Sequence, residues 1–223
     1  LIISPKFHPL EDGLGQYTKW FYFELQKQNI EVGVTTSVEH KSNLKNIFPV
    51  VKKWKLFGLS RLDKSIKNFS PDCILFQYVP FMYERRGGIN FSIAFYIVWL
   101  RMTSKRKIHI MFHELNYPLE FSLKAIIMYI CHHLMLFLIG SAVHKQFCST
   151  SYFQNRLKKF FFWKKRDIFL LPVGSNIVDI KKGSDLRRDQ FAKPDEILLG
   201  CFGSFHPSKN YPLILSVLAK LIK

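Results

Sequence analysis

Short apolar runs alternate with longer mixed segments along most of the chain. The runs fall at residues 1–4, 31–36, 73–77, 108–112, 142–148, 168–171 and 197–202. They are rich in β-branched and aromatic residues and have few polar interruptions, as strands of a parallel sheet covered on both faces require. Between them, Tyr17, Trp20, Phe21, Glu24 and Leu25 recur at helical spacing, and residues 60–69, 90–104, 119–140 and 150–160 also read as helices. Strand and helix in alternation predict an α/β fold with a parallel sheet. No repeat of solenoid period is present.

The pattern breaks after Leu171, at Pro172-Val173-Gly174-Ser175, and a polar stretch runs from Asp179 to Asp195. The expected division is a first domain over 1–174, a linker over 175–196 and the opening of a second α/β domain over 197–223. In that last part a strand at 197–202 is followed by a glycine loop. A helix then starts near Asn210, with Pro212 in its first turn, where a missing N–H does no harm. One strand and one helix cannot bury a core, and the chain opens at Leu1 inside an apolar run, so the sequence reads as a fragment.

Hydrophobic residues make up 48% of the 223, which excludes a disordered chain. Against 33 Lys and Arg stand 16 Asp and Glu, a formal net charge of +17. That excess calls for an anionic partner: nucleic acid, a membrane face or a phosphorylated substrate. Cys73, Cys131, Cys148 and Cys201 form no CxxC pair and read as reduced packing residues in a cytoplasmic protein. Residues 91–100 are too few to span a bilayer, and 125–139 are interrupted by His132 and His133, so no spanning helix is expected.

Three places could carry chemistry. Gly13-Leu14-Gly15 opens a helix after the first strand, where glycines admit a close ligand and the helix N-terminus attracts phosphate; a plain glycine turn fits the residues too. The dinucleotide fingerprint is not met, because Thr18 stands where its third glycine belongs and eight residues separate the strand from Gly13. The second place is His113-Glu114-Leu115-Asn116, directly after the strand at 108–112, at the strand end where open α/β sheets bind ligands. A structural histidine fits as well. The third is Gly203-Ser204 through Lys209-Asn210, where Lys209 near a helix start offers a point charge to a diphosphate, or is a solvated turn lysine.

Taken in order, these residues resemble the retaining GT-B glycosyltransferases of family 4. The resemblance runs over nearly the whole chain. It rests on Gly13-Leu14-Gly15 with Tyr17-Thr18, Asp72 before the strand at 73–77, and His113-Glu114-Leu115. Cys148-Ser149-Thr150-Ser151, Leu171-Pro172-Val173-Gly174 and Gly203 to Asn210 complete it. It implies two Rossmann-like doubly wound domains, the second truncated here. A nucleotide diphosphate sugar would sit between them and pass its sugar to an acceptor hydroxyl with retention, without metal or other cofactor. By the same match Gly13, Leu14 and Gly15 lie by the donor phosphates and the acceptor, His113 touches the donor sugar, and Lys209 holds the leaving diphosphate. Glu114, Asn116, Gly203, Ser204 and Asn210 complete the binding set. The family commonly carries Arg where Ser204 stands, and its acidic pair, two Glu seven residues apart, would lie beyond Lys223. Glu31 and Glu39 share that spacing by coincidence. The chain alone is therefore expected to be inactive.

Arg156, Lys158, Lys159, Lys164, Lys165 and Arg166 surround Phe160-Phe161-Phe162-Trp163, and Lys105-Arg106-Lys107 follow an apolar helix. Cations beside aromatics suit peripheral contact with anionic lipid at the inner face of the cell membrane, and so a lipid-linked glycan acceptor. A helix end packed in the core is the plainer reading. A non-catalytic basic α/β module binding membrane or nucleic acid is the alternative function, although no nucleic-acid module shows in the spacing.

Overall fold

The computed structural model describes residues 1–9, 12–84, 87–115, 121–163, 167–174, 191–200 and 210–221. Two units divide the chain, Leu1–Ile177 and Val178–Lys223.

The first unit is built on seven strands, all parallel: β1 (Ile2–Ile3), β2 (Val34–Ser37), β3 (Ile47–Val51), β4 (Cys73–Tyr78), β5 (Lys107–Phe112), β6 (Lys145–Cys148) and β7 (Ile168–Leu170). Their order is β3-β2-β1-β4-β5-β6-β7, so the chain winds outward one way from β1 and then outward the other way from β4. The Rossmann-like fold class read from the sequence is present. Right-handed crossovers place the helix after β1 on one face of such a sheet and the helices after β3, β4, β5 and β6 on the other. Those helices are α1 (Gly13–Lys27), then α2 (Leu56–Phe69), α4 (Phe91–Thr103), α5 (Leu123–Ala142) and α6 (Ser151–Phe160); α3 (Pro80–Tyr83) is a single turn after β4.

Two separate cores follow from this layering. Ile2, Phe7, Val32 and Val34 pack with Tyr22 of α1. Ile3, Ile74, Phe76, Ile108, Ile110 and Phe112 pack with Leu62, Ile97 and Ile139 of the opposite helix layer. Alternate residues of each strand thus serve opposite faces, which is why β4 and β5 read as nearly continuous apolar runs, interrupted by Gln77 and His109.

Local signals set most helix starts. Asn90, Ser122 and Thr150 cap α4, α5 and α6 by accepting from the backbone N–H of Ile93, Ala125 and Phe153. The edge strand β3 contains Pro49, a residue tolerated where one side of a strand has no partner.

The second unit holds α7 (Tyr211–Leu221), with Pro212 in its first turn as the sequence suggested and no buried residue. The strand anticipated at 197–202 is a correction: Ile197 to Gly200 form no strand. Those residues are exposed and pair with no strand among the described residues, and Cys201 and Phe202 lie outside the described residues. Cys73, Cys131 and Cys148 are free thiols.

Candidate active site

Strand order reverses between β1 and β4, and the carboxyl ends of strands beside such a reversal are where open α/β sheets hold ligands. Three segments meet there. The loop after β1 feeds the N-terminus of α1, β4 contributes Gln77, and β5 ends directly before His113.

His113 is half-buried, and its backbone N–H donates to the Tyr78 carbonyl across the strand pair, which fixes where the ring leaves the sheet. Its Nε2 lies 2.7 Å from Oε1 of the fully buried Gln77. With the amide oxygen toward the ring, Nε2–H donates and Nδ1 is the acceptor. The ring meets Tyr17 of α1 edge to face at a centroid distance of 4.7 Å. Burial holds the imidazole pKa down at about 4 and pushes the Tyr17 phenol up to about 12, so both are neutral at pH 7.

Tyr17 stands about one turn along from Gly13, so the glycine turn and the imidazole share one rim. Gly13 is exposed with open space around its Cα, and it lines a cavity of about 430 Å³ with Tyr17, Trp20, Phe21, Glu24 and the 171–174 exit. Gly15 does a different job. A Cβ there would sit 3.3 Å from the Phe7 carbonyl carbon, so this glycine lets the helix pack on the preceding loop. Leu14 is buried and its carbonyl accepts from the Thr18 hydroxyl.

The helix N-terminus is not open to a phosphate as the residue types suggested. Asp12 is its N-cap, and Oδ1 accepts from the N–H of Leu14 at 2.9 Å and of Gly15 at 3.2 Å. A carboxylate of the protein already takes two of the free amides, and a ligand phosphate must displace or adjoin it.

A second cavity, about 530 Å³, lies at the same edge beyond β1 to β4 and is lined by Lys6, Lys52, Lys53, Asp12, Glu39 and Ser37, among others. These charges escaped the sequence reading, although the pair Lys52-Lys53 directly after a strand was a usable signal. Gln77 carried no local signal, because its partner is 36 residues away. Glu114 is exposed at the rim, its carboxyl raised by the part that is buried. Asn210 lies at the start of α7 in the second unit, with φ of 49° and its carbonyl accepting from Leu213 and Ile214. Asn116, Gly203, Ser204 and Lys209 lie outside the described residues. Among the described residues no His, Cys, Asp and Glu group is arranged to hold a metal.

No protein-family model matches the chain, and no curated protein matches it.

Proposed function

We propose that residues 1–174 are the acceptor-side domain of a retaining GT-B glycosyltransferase that transfers a sugar from a nucleotide diphosphate sugar to an acceptor hydroxyl. The reading extends to cell-surface polysaccharide or lipid-linked glycan synthesis. What carries it, beyond the order of motifs, is the neutral imidazole of His113 at the strand-order reversal, held by Gln77 and by Tyr17, which itself stands about one turn along α1 from Gly13.

In this reaction the bond from the anomeric carbon to the diphosphate breaks, and the diphosphate leaves with the electron pair. The acceptor oxygen bonds to the same face of that carbon, and its proton passes to the departing phosphate oxygen. A histidine with a pKa near 4 is not a proton donor of useful population at pH 7. It serves as an oriented hydrogen-bonding partner for a sugar hydroxyl, a positioning contribution. Trp20, 42% exposed, and Glu24 line the first cavity. An aromatic face beside a carboxylate suits the CH face and hydroxyls of an acceptor sugar. The lysines of the second cavity suit phosphate.

Saturation-transfer NMR with UDP-, GDP- and ADP-linked hexoses tests this. Signals are expected from sugar-ring protons, weaker by several-fold in His113→Ala at unchanged circular dichroism. Silence from all three nucleotides would sink the reading. The Asp12 carboxylate on the α1 amides favours a second one, a basic α/β module without catalysis; signals from the nucleotide alone, indifferent to His113→Ala, would select it.

A further inference from the structure

Helix α5 is apolar on two opposite sides. Its core side carries Ala125, His132, Met135, Leu136 and Ile139, all buried. Directly opposite, Leu123, Ile127, Ile130, Leu134 and Phe137 follow one another at steps of four and three and are 43 to 75% exposed. At 1.5 Å per residue that stripe runs about 20 Å. The outward side of a surface helix ordinarily carries charge; here Lys124 is the one charged residue of the whole helix. The neighbouring α4 packs beside α5 and adds Phe95, Trp99 and Met102, the last 81% exposed. Beyond α6, Trp163 touches Phe137 and stands half out of the protein with Phe162.

α5 is the one described helix long and apolar enough to cross a membrane. Its inner side is part of the sheet's core, which assigns it to the domain and leaves only the outer side to meet something else.

The charges around this face say what. From residue 91 to 166 the sequence has twelve Lys and Arg against Glu114 and Glu120 alone. Arg101, Lys105, Lys107, Lys124, Lys158 and Lys159 are exposed, and among the described residues none of them pairs with a carboxylate. Between α5 and α6 a cavity of about 300 Å³ is lined by His133, Leu136, Arg156, Lys159, Phe160 and Leu115. His133 and Leu136 are neighbours of Leu134 and Phe137 on the helix, so this basic hollow borders the apolar stripe.

We propose that the outer face of α4 and α5, with Phe162 and Trp163, rests in the interface of an anionic bilayer. The stripe enters the upper acyl region, and Arg156 and Lys159 take a lipid phosphate at its edge. Apolar side chains with aromatics at their margin and cations around them are the composition of an in-plane membrane contact. The face carries this whether or not the first cavity binds a sugar.

Flotation of the 223-residue chain with vesicles of phosphatidylcholine, alone or with 30 mole per cent phosphatidylglycerol, tests it. Binding is expected to the anionic vesicles and not to the neutral ones. Two variants separate the contributions. Ile130→Glu with Leu134→Glu is expected to cut binding at least tenfold even at low salt, with the thermal melt unchanged because both side chains already face outward. Arg156→Glu with Lys159→Glu is expected to cut binding to anionic vesicles about tenfold or more, since each cation near such a surface is worth on the order of 1 kcal/mol. Wild-type binding by the first variant overturns the proposal, as does equal binding to neutral vesicles. So does elution of the free protein as a dimer that Ile130→Glu with Leu134→Glu converts to monomer, which would make a second copy the occupant. Capture by oligonucleotides in place of vesicles also overturns it.

Discussion

A single carboxylate governs the glycine turn. Asp12 takes the Leu14 and Gly15 amides that a ligand phosphate would otherwise use. Asp12→Ala therefore has two opposite effects. Loss of the cap costs about 1 kcal/mol, read as a lower melting temperature. Two freed amides at the positive end of α1 make pyrophosphate a better stabiliser of the variant than of the wild type. A melt of Asp12→Ala with and without pyrophosphate reads both, and an unchanged response to the anion would show that the turn takes no phosphate. The neutral state of His113 yields a prediction in pH. Its folded pKa is near 4, below the ordinary value of 6.5, so above about 6.5 neither state gains a proton and its contribution is whole. As pH falls from 6.5 toward 4 the unfolded chain takes up a proton that the folded one refuses, and stability drops. Burial lowers His40, His109 and His132 in the same direction. The melting temperature is thus expected to decline steadily between pH 6.5 and 4, with a shallower decline in His113→Gln; identical slopes would remove His113 from the account.

Among the elements, the start of α2 is where packing overrides propensity. Replacing glycine by alanine in an exposed helix usually stabilises, by up to about 1 kcal/mol. At Gly58 the added Cβ would fall 1.7 Å from the Lys53 carbonyl oxygen, which is backbone and cannot swing away. The sign reverses, and Gly58→Ala is expected to cost about 1–3 kcal/mol, the scale of overpacking, in urea unfolding; a gain would refute the close approach. This constraint was not visible in the sequence, because it depends on how the chain enters α2. What was visible follows a physical rule. β4 and β5 are largely buried strands with nearly continuous apolar runs, β7 is a short apolar run with Phe169 and Leu170 exposed, and all three could be read directly; Asn90 and Thr150 mark helix starts that propensity also favours. β3 was missed because Pro49 speaks against a strand except at an edge, and edges are decided by the whole sheet. The run at 142–148 reads as one strand in the sequence, whereas Ala142 closes α5 and Lys145 opens β6; burial makes the end of a core helix and the start of a core strand look alike. At the site, the glycine turn and His113 were legible from their positions after strands. The bond to Gln77 and the contact with Tyr17 were not, since each joins residues far apart in the chain.

For the whole molecule, the surplus of positive charge is a stability term as well as a clue to partners. The pairs Lys27–Glu24, Lys55–Glu84 and Lys67–Asp63 use a few of the 33 cations, and in each the lysine is largely exposed, so each pair is worth about 0–1 kcal/mol. The remaining cations repel one another over distances that salt controls. The screening length falls from about 30 Å at 0.01 M to about 8 Å at 0.15 M. If the pairs dominated, added salt would weaken attraction and lower the melting temperature. With a net charge of +17, relief of repulsion wins. The melting temperature is expected to climb by several degrees as potassium chloride rises from 10 to 150 mM, at about 2–4 °C for each kcal/mol in a chain of this size. A flat or falling curve would mean that the cations are neutralised within the fold. Anionic vesicles should give the same relief at low salt, because the cations flanking α5 meet an opposite charge there while its outer side chains leave water.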